Sequence, residues 1–338
     1  MSRYFLGIDA GNSKTVALLA DETGEILGRG RGGVGDIYGT ATEELAVDAV
    51  VAAAEAALAD AGVSAERVSA AALRLAGVDW AEDERYWEDA AARRLPGLRQ
   101  VSIRNDGFAL LRCGTVSGVG VAVTAGTGPA VAARGHDGQE YCASWWIQHA
   151  LGGLGLGEAA FRAVVDAEIG LRPPTLLRAE LLTLYGHHDV ADLLYAFTRR
   201  GSARSGRDYA AAARSVLRAA SASDAVALEM VRSASSTFAG LARVAAERTG
   251  LVSRAHPATE PVPVVLGGSL LTSELPAYRE ALVKDLRREL GAVRVAATAA
   301  SPVAGALLDA LAEGGVELDQ ERHDRVLTTS HPADFLLT

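Results

Sequence analysis

Two stretches of this chain, 115 residues apart, follow the same local grammar, and no other feature narrows the fold as much. In the first, an apolar run over residues 4–8 leads into Asp9-Ala10-Gly11-Asn12-Ser13. A second apolar run covers 16–20, and Asp21-Glu22-Thr23-Gly24 turns the chain into a third run that begins at Ile26. In the second, GVGVAVT over 118–124 leads into Ala125-Gly126-Thr127-Gly128, another run covers 130–133, and His136-Asp137-Gly138 makes the turn. Both read as strand, Ala-Gly loop, strand and turn. A supersecondary unit used twice predicts a duplicated domain with a cleft between the halves. The 338 residues suffice for two cores, because single cores stop growing near ~250 residues.

Outside the repeats, helical and strand patterns alternate. Helices are expected over 42–61, stopped by Gly62, and over 82–95 and 275–290; strands are expected over 68–75, 101–103, 264–266 and 293–295. The stretch 176–249 is helical in pattern apart from the polar loop RGSARSGR at 200–207. Pro302 opens a last helix over 301–311, where its missing N–H costs nothing, and the pattern fades into a polar tail beyond about residue 313.

Charge and cysteine usage exclude several functions. With 33 basic and 42 acidic residues the formal charge is −9, a poor balance for a nucleic-acid scaffold, which needs clustered Lys and Arg. No apolar run approaches the ~20 residues that span a bilayer, and no signal peptide is expected. Cys113 and Cys142 cannot make a disulfide framework or a four-cysteine zinc site, so the default compartment is the cytoplasm. Only two of the basic residues are lysines, Lys14 and Lys284.

Three glycine loops follow strands: 10–15, 126–128 and 267–269. Such loops expose backbone N–H groups and admit a phosphate without a Cβ in the way, and Ser13, Thr15, Thr127 and Ser269 can add hydroxyl donors. There is no GxxxxGK[ST], and Gly153, Gly155 and Gly157 lack the βαβ surroundings of a dinucleotide site. Asp9, at the end of the first strand, suits Mg²⁺ held through water or a simple turn. Asp106, at another strand end, suits a general base or, with Asn105 and Gly107, a helix cap. Lys14 suits a phosphate neighbour or a solvated hairpin. Neither HExxH nor GxSxG occurs, and Trp145-Trp146 suit a sugar face or a core.

These segments resemble the BadF/BadG/BcrA/BcrD ATPase family, and within it the N-acetylglucosamine kinase branch of the actin-like ATPase and sugar kinase superfamily. FLGIDAGNSKTVALLADETGEILGRGRGG is similar to the family's first phosphate loop, IRNDGFALL to its catalytic-aspartate segment and AGTGPAVAARG to its second phosphate loop. PVVLGGSLL is similar to the adenosine loop and SPVAGALLDAL to a closing helix that returns to the first domain; the order of all five matches over about residues 4–314. The resemblance implies an α/β fold of two ribonuclease-H-like domains that close on ATP and Mg²⁺. The division would be 1–115 with 301–314 returning, then 116–300 with a large helical insertion, and a polar tail over 315–338. It implies Asp9 for the metal, and Gly11, Asn12, Ser13, Lys14, Thr15, Gly126, Thr127 and Gly128 for phosphates. Gly267, Gly268 and Ser269 would take adenosine, and Asp106 would be the base that draws a proton from a sugar hydroxyl.

On the sugar side, CASWWIQHALGGLGLGEAAF (142–161) departs from the branch. Cys142 and Trp145 fit, but Leu151 falls where an acidic sugar contact is expected, and Glu158 replaces it only in a shifted alignment. A usual sugar-contacting Asn is Asp36 here, in RGGVGDIYG. Asp36, Asn105, Asp106, Trp145 and Glu158 are therefore the expected substrate residues, and a cationic aminosugar would suit Asp36. Two other readings stay open: an ATPase that energises a radical dehydratase through an iron–sulfur cluster, and a non-catalytic sugar sensor. The apolar helices from 176 to 249 offer surfaces for a homodimer.

Overall fold

The computed structural model describes residues 3–202, 204–253 and 260–336. By their internal contacts these form two units: Met1–Gly120 with Ala132–Arg134 and Thr298–Thr338, and Val121–Val131 with Gly135–Ala297.

The first unit is built on a sheet of order β3-β2-β1-β4-β5. Strands β1 (Tyr4–Ala10), β2 (Thr15–Asp21) and β3 (Ile26–Gly32) form an antiparallel meander, and β4 (Val68–Leu75) and β5 (Val101–Asn105) add in parallel to β1. Strand β2 is apolar almost throughout because both its faces are covered. On one side lie α1 (Glu43–Ala61) and α2 (Ala81–Arg94), over Leu6, Ile8, Ala17 and Leu19. On the other lie α3 (Ala109–Gly114) and, from the far end of the chain, a helix over Pro302–Glu313, above Phe5, Val16, Leu18 and Ala20.

Strand β3 reads Gly28-Arg29-Gly30-Arg31-Gly32. The glycines face α1 so closely that a Cβ on any of them would overlap the carbonyl oxygens of Ala57, Ala53 and Ala49 in turn. The alanine stripe of α1 and the glycine face of β3 thus form one backbone-to-backbone contact, and the arginines point to the other face.

The second unit repeats the plan, with its sheet ordered β10-β9-β6-β7-β8. Strands β6 (Gly120–Ala125), β7 (Pro129–Arg134) and β8 (Glu140–Cys142) occupy the places of β1, β2 and β3; β9 (Val262–Gly267) and β10 (Val293–Ala297) run parallel beside β6. The repeat read from the two Ala-Gly loops is therefore a repeat of a five-strand sheet. Between β8 and β9 come α4 (Gly153–Glu168), α5 (Leu177–Tyr185), α6 (Val190–Thr198), α7 (Gly206–Ala211), α8 (Ala213–Ser221) and α9 (Ala225–Arg248). Phe161, Tyr185, Phe197 and Tyr209 pack together between these helices, edge-on except for the tilted Phe161–Phe197 pair. Helix α10 (Ala277–Leu290) joins β9 to β10, α11 is Pro302–Glu313, and α12 is Gln320–Thr328.

Two expectations need correction. Helix α7 starts inside the stretch read as a polar loop, because Ser205 and Asp208 cap it reciprocally, and Ala212 separates it from α8. Residues 315–336, the described part of the expected polar tail over 315–338, do not form one: α12 lies there, and Val316, Val326 and Phe335 are buried on the first sheet with Leu318, Leu327 and Leu336 beside them. Apolar positions spread thinly among charged residues concealed that face. Among the described residues no helix is long and apolar enough to cross a membrane.

One buried ionic cluster binds α11 to its unit. Asp309, 1% exposed, accepts from Arg74 Nε of β4 at 2.9 Å, Arg112 Nε of α3 at 3.0 Å and Arg134 Nη1 of β7 at 3.0 Å, and Arg74 also reaches Glu313 at 2.7 Å. Burial alone would raise the Asp309 carboxyl, but Arg74, Arg134 and Arg112 outweigh it and hold it far below the ordinary carboxylate range. Removing that charge leaves buried guanidinium groups uncompensated. Asp309→Ala should destabilise the protein by about 3–5 kcal/mol in urea unfolding, and a cost under about 1 kcal/mol would show the cluster to be dispensable. A depressed folded pKa gives stability that is present above the unfolded value of about 4 and lost on acidification through the folded one. The parent should therefore lose stability on acidification more steeply than Asp309→Asn.

Candidate functional site

In the first unit, β1 and β5 are both parallel neighbours of β4, and their C-terminal ends carry Asp9 and the Asn105-Asp106 pair. Asp9 sits one residue before the end of β1, and the hairpin loop that follows is closed by Gly11 N donating to Lys14 O at 3.0 Å. The same loop receives Gly35 N at Gly11 O, at 3.1 Å, which brings the 33–40 turn against it. Asn12 and Ser13 are exposed, while Thr15 is fully buried and its hydroxyl finds no hydrogen-bond partner among the described residues. The Thr15 hydroxyl thus lies beneath the loop rather than on its outer rim.

Asp36, 5% exposed, is held by Asn12 Nδ2, which donates to its Oδ2, and by Tyr38 N, which donates to Oδ1 at 2.9 Å. Asn105 accepts from Gly107 N at 2.9 Å, the capping bond expected of it, and its Nδ2 donates to Asp79 Oδ1 at 2.8 Å. Asp106 opens a single helical turn after β5.

Electrostatics link these residues. Burial, then the Asp106 carboxylate, pushes the Asp9 carboxyl up to about 7, with Lys14 acting against both. Burial, then Asp36, pushes Asp106 up to about 6 against the backbone N–H groups of Gly107 and Asp106 itself. Burial lowers Lys14, while Asp9 holds it up and Arg31 lowers it further. The first unit therefore brings Asp9, Asn12, Lys14, Asp36, Asn105 and Asp106 into one interacting group. Three of its carboxylates crowd together, and two of them have been moved into the range where general acid–base work is done at neutral pH.

This donor set fits the Mg²⁺ that the sequence implies. Two under-compensated carboxylates, at strand ends on either side of β4, suit a hard cation that keeps most of its waters. Among the described residues no group of three or more His, Cys, Asp or Glu side chains is placed to hold a metal, so water and substrate oxygens would complete its shell.

The second unit holds the other two glycine loops. Gly126 N donates to Gly128 O at 3.1 Å, and Thr127 and Gly128 are exposed at the tip. Gly153 N and Leu154 N, the first N–H groups of α4, donate to Gly126 O at 2.7 Å and Thr127 O at 3.0 Å. The start of α4 thus fixes the loop carbonyls. Gly268, at φ +84°, lies so close to Ala125 and Gly126 that a Cβ would overlap their backbone. The loop after β9 therefore packs directly on the loop after β6, and Ser269 is exposed beside them.

The remaining expected substrate residues belong to the second unit. Trp145 and Trp146 form an exposed 3₁₀ turn after β8, and Glu158 is exposed on α4. Leu151, 2% exposed, is an apolar plug whose carbonyl accepts from Tyr278 OH at 2.9 Å. Sequence reasoning missed Asp79 and Asp83, which orient Asn105 and, through a 2.9 Å bond from Tyr38 OH, the turn that carries Asp36. The signal was present as Trp80-x-x-Asp83, a helix start in which Asp83 caps Trp80 N at 2.7 Å. It also missed Gly152, where a Cβ would overlap Gly128, while Gly153, which alternates with Gly155 and Gly157 outside any βαβ unit, donates to Gly126 O.

The model of the BadF/BadG/BcrA/BcrD ATPase family matches residues 6–312. No curated protein matches the chain in sequence. Among solved structures, the chain is similar to a provisionally assigned N-acetylglucosamine kinase from Chromobacterium violaceum at 24% identity and a TM-score of 0.64, covering 90% of this chain and 98% of that one. It is similar to another such protein from Porphyromonas gingivalis at 18% identity and a TM-score of 0.61, covering 95% and 99%. A ROK family glucokinase from Streptomyces griseus, solved with glucose and AMPPNP, matches at 19% identity and a TM-score of 0.54, covering 92% and 98%. These likenesses establish a shared fold.

The coupled carboxylates make a measurable prediction. A raised folded pKa means that folding favours the protonated form, so this stability is full below about pH 4 and lost as pH rises through 6 to 7. Asp9→Asn and Asp106→Asn should each melt higher than the parent at pH 8, with the gain shrinking toward pH 5. Mg²⁺ should raise the parent's melting temperature at pH 8 more than that of Asp9→Asn. Melting curves that are the same for all three at pH 8 would remove the coupling.

Proposed function

The chain belongs to the BadF/BadG/BcrA/BcrD ATPase family, and from that premise we propose that it is an ATP-dependent sugar kinase whose acceptor is a hydroxyl of a hexose or aminosugar. The observation that carries this reading is the first-unit group in which Asp9, Asp36 and Asp106 interact beside a glycine loop bearing Lys14. In it Asp106, with a carboxyl near 6, takes the proton of the acceptor hydroxyl as the bond to phosphorus forms. Asn105, tied to Asp79, and the Asn12–Asp36 pair orient the sugar. Asp9 holds the cation through water, and Lys14 stands beside the phosphates. Bound Mg²⁺·ATP supplies the phosphoryl group and the charge that offsets the carboxylates. The loops at Gly126–Thr127–Gly128 and Gly267–Gly268–Ser269 receive the rest of the nucleotide through amides and hydroxyls. Catalysis in such a site is mainly positioning and charge stabilisation.

Within the sugar class, the favoured acceptor is an aminosugar with a free ammonium group. A buried Asp36 carboxylate beside a second carboxylate attracts a cation, and the buried Leu151 offers no charge to an acetylated one. The iron–sulfur reading has no support from Cys113: it is buried on α3, and burial pushes its thiol up to about 12, which disfavours the thiolate that ligates a cluster. Leu151 in place of an acidic sugar contact is what favours the sensor reading, in which sugar and nucleotide bind without turnover.

Assays across hexoses, aminosugars and acetylated aminosugars should give the highest kcat/KM with a free amine; turnover of uncharged sugars alone would overturn that specificity. Asp106→Asn should lower kcat by about 10²–10⁴-fold while ATP binding by calorimetry stays unchanged. Unchanged turnover would take Asp106 out of its role, and no turnover by the parent with any sugar it binds would favour the sensor.

A further inference from the structure

The arginine face of β3 and the lone lysine of the first loop all reach the same piece of chain. Beyond α12, residues 330–336 run across the first unit on the side opposite α1. Arg29 donates from Nε to His331 Nδ1 at 3.2 Å and from Nη2 to Ser330 O at 3.4 Å. Arg31 Nη1 donates to Asp334 O, and to Phe335 O at 3.2 Å. Lys14 Nζ donates to Leu336 O. Phe335, 7% exposed, anchors the segment in the core made by Phe5, Val16, Leu18 and Val326, and stacks on His331 at 5.1 Å between ring centroids. The register explains the alignment: Val16 pairs with Arg31 and Leu18 with Arg29, so the two arginines stand in line behind Lys14 along the sheet edge.

We propose that residues 330–336 are a positioning strap for Lys14, holding its ammonium group over the first glycine loop so that the cation is in place before a phosphate arrives. A free lysine has four rotatable side-chain bonds, and fixing them on binding weakens affinity by the entropy lost. The strap removes that loss in advance. Its acceptor on Lys14 is a neutral carbonyl, which keeps the charge unspent and yields to the stronger pull of an anionic oxygen. The chain's arginine bias makes the choice of lysine here meaningful: a compact, rotatable ammonium can exchange one oxygen for another, whereas a guanidinium fork favours a fixed planar partner. The inference rests on reading residues 10–15 as a phosphate loop. Lys14 is thus the binding residue, and Arg29, Arg31 and Phe335 are positioning residues that act through it.

The test uses the chemistry of a two-lysine protein. Amine acylation at fixed pH, quantified at each site by mass spectrometry, reads Lys14 against Lys284 as an internal reference on α10. In a chain ended after Thr329, labelling of Lys14 relative to Lys284 should rise by about tenfold, the scale of one charge-assisted hydrogen bond. Phe335→Ala in the full chain should raise it in the same direction by less. Unchanged relative labelling in both variants overturns the strap whatever the enzyme does. If the shortened chain fails to fold by circular dichroism, Phe335→Ala and Arg31→Gln carry the same measurement. The second arm is a double-mutant cycle on ATP binding: Phe335→Ala and Lys14→Met should each weaken ATP binding, and Phe335→Ala should cost nothing further once Lys14 is gone. Additive losses overturn action through Lys14. Released Lys14 with no change in ATP binding by either variant would instead sink the phosphate-loop reading and leave the strap standing as a contact.

Discussion

The first unit depends on a single carboxylate. Arg74 is a fully buried cation inside a central strand, and on its own that would be intolerable. Asp309, with Glu313 beside it, makes it tolerable, while also holding Arg112 and Arg134, all of them within the first unit. The helix is further locked by its backbone fit, because Gly7 of β1 leaves no room for a Cβ against Ala306 and Leu307, and Gly305 leaves none against Ala109. Helix α11 therefore lies across the strand that carries Asp9 at its end. The strand end that carries Asp9 gains its rigidity from this packing, since a strand backed by a close-fitting helix offers its terminal carboxylate little freedom to relax away from its neighbours.

That rigidity is what makes the carboxylate group chemically useful. Asp106 repels both Asp9 and Asp36, and a flexible scaffold would let them separate into water. Here Asp36 is pinned by Asn12 and Tyr38 N, and Asp106 follows directly from β5. Burial first, and this repulsion second, raise the proton affinity of Asp9 and Asp106.

Much of the fold was legible in the sequence because its cues are local. The Ala-Gly hairpins, the strand at 68–75 and the helix at 43–61 each carry period, turn and stop within a few residues. The order of the five family-like segments then supplied what local cues do not, the return of α11 to the first unit. The illegible parts are those whose partner lies far away. Arg74 and Asp309 are 235 positions apart, and nothing near either residue marks it as half of an ion pair. The same holds for the last segment, where Val326, Phe335 and Leu336 are too sparse to announce a face until β2 and β3 are beside them. In the candidate site, strand-end aspartates and glycine loops could be read from residue type and position, whereas Asp79 and Asp83 act through side-chain bonds that only the folded turn creates.

The discontinuous make-up of the first unit bears on the order of events as the chain is made. Residues 3–120 emerge first and already contain a complete five-strand sheet, yet the carboxylate that neutralises Arg74 arrives only with residue 309. Until then that sheet holds an uncompensated interior cation and an uncovered apolar face over Phe5, Val16 and Leu18. The first unit's native contacts are thus closed by long-range pairing rather than by local propagation, and Arg74 meets its carboxylate only once the strands of the second sheet have been made.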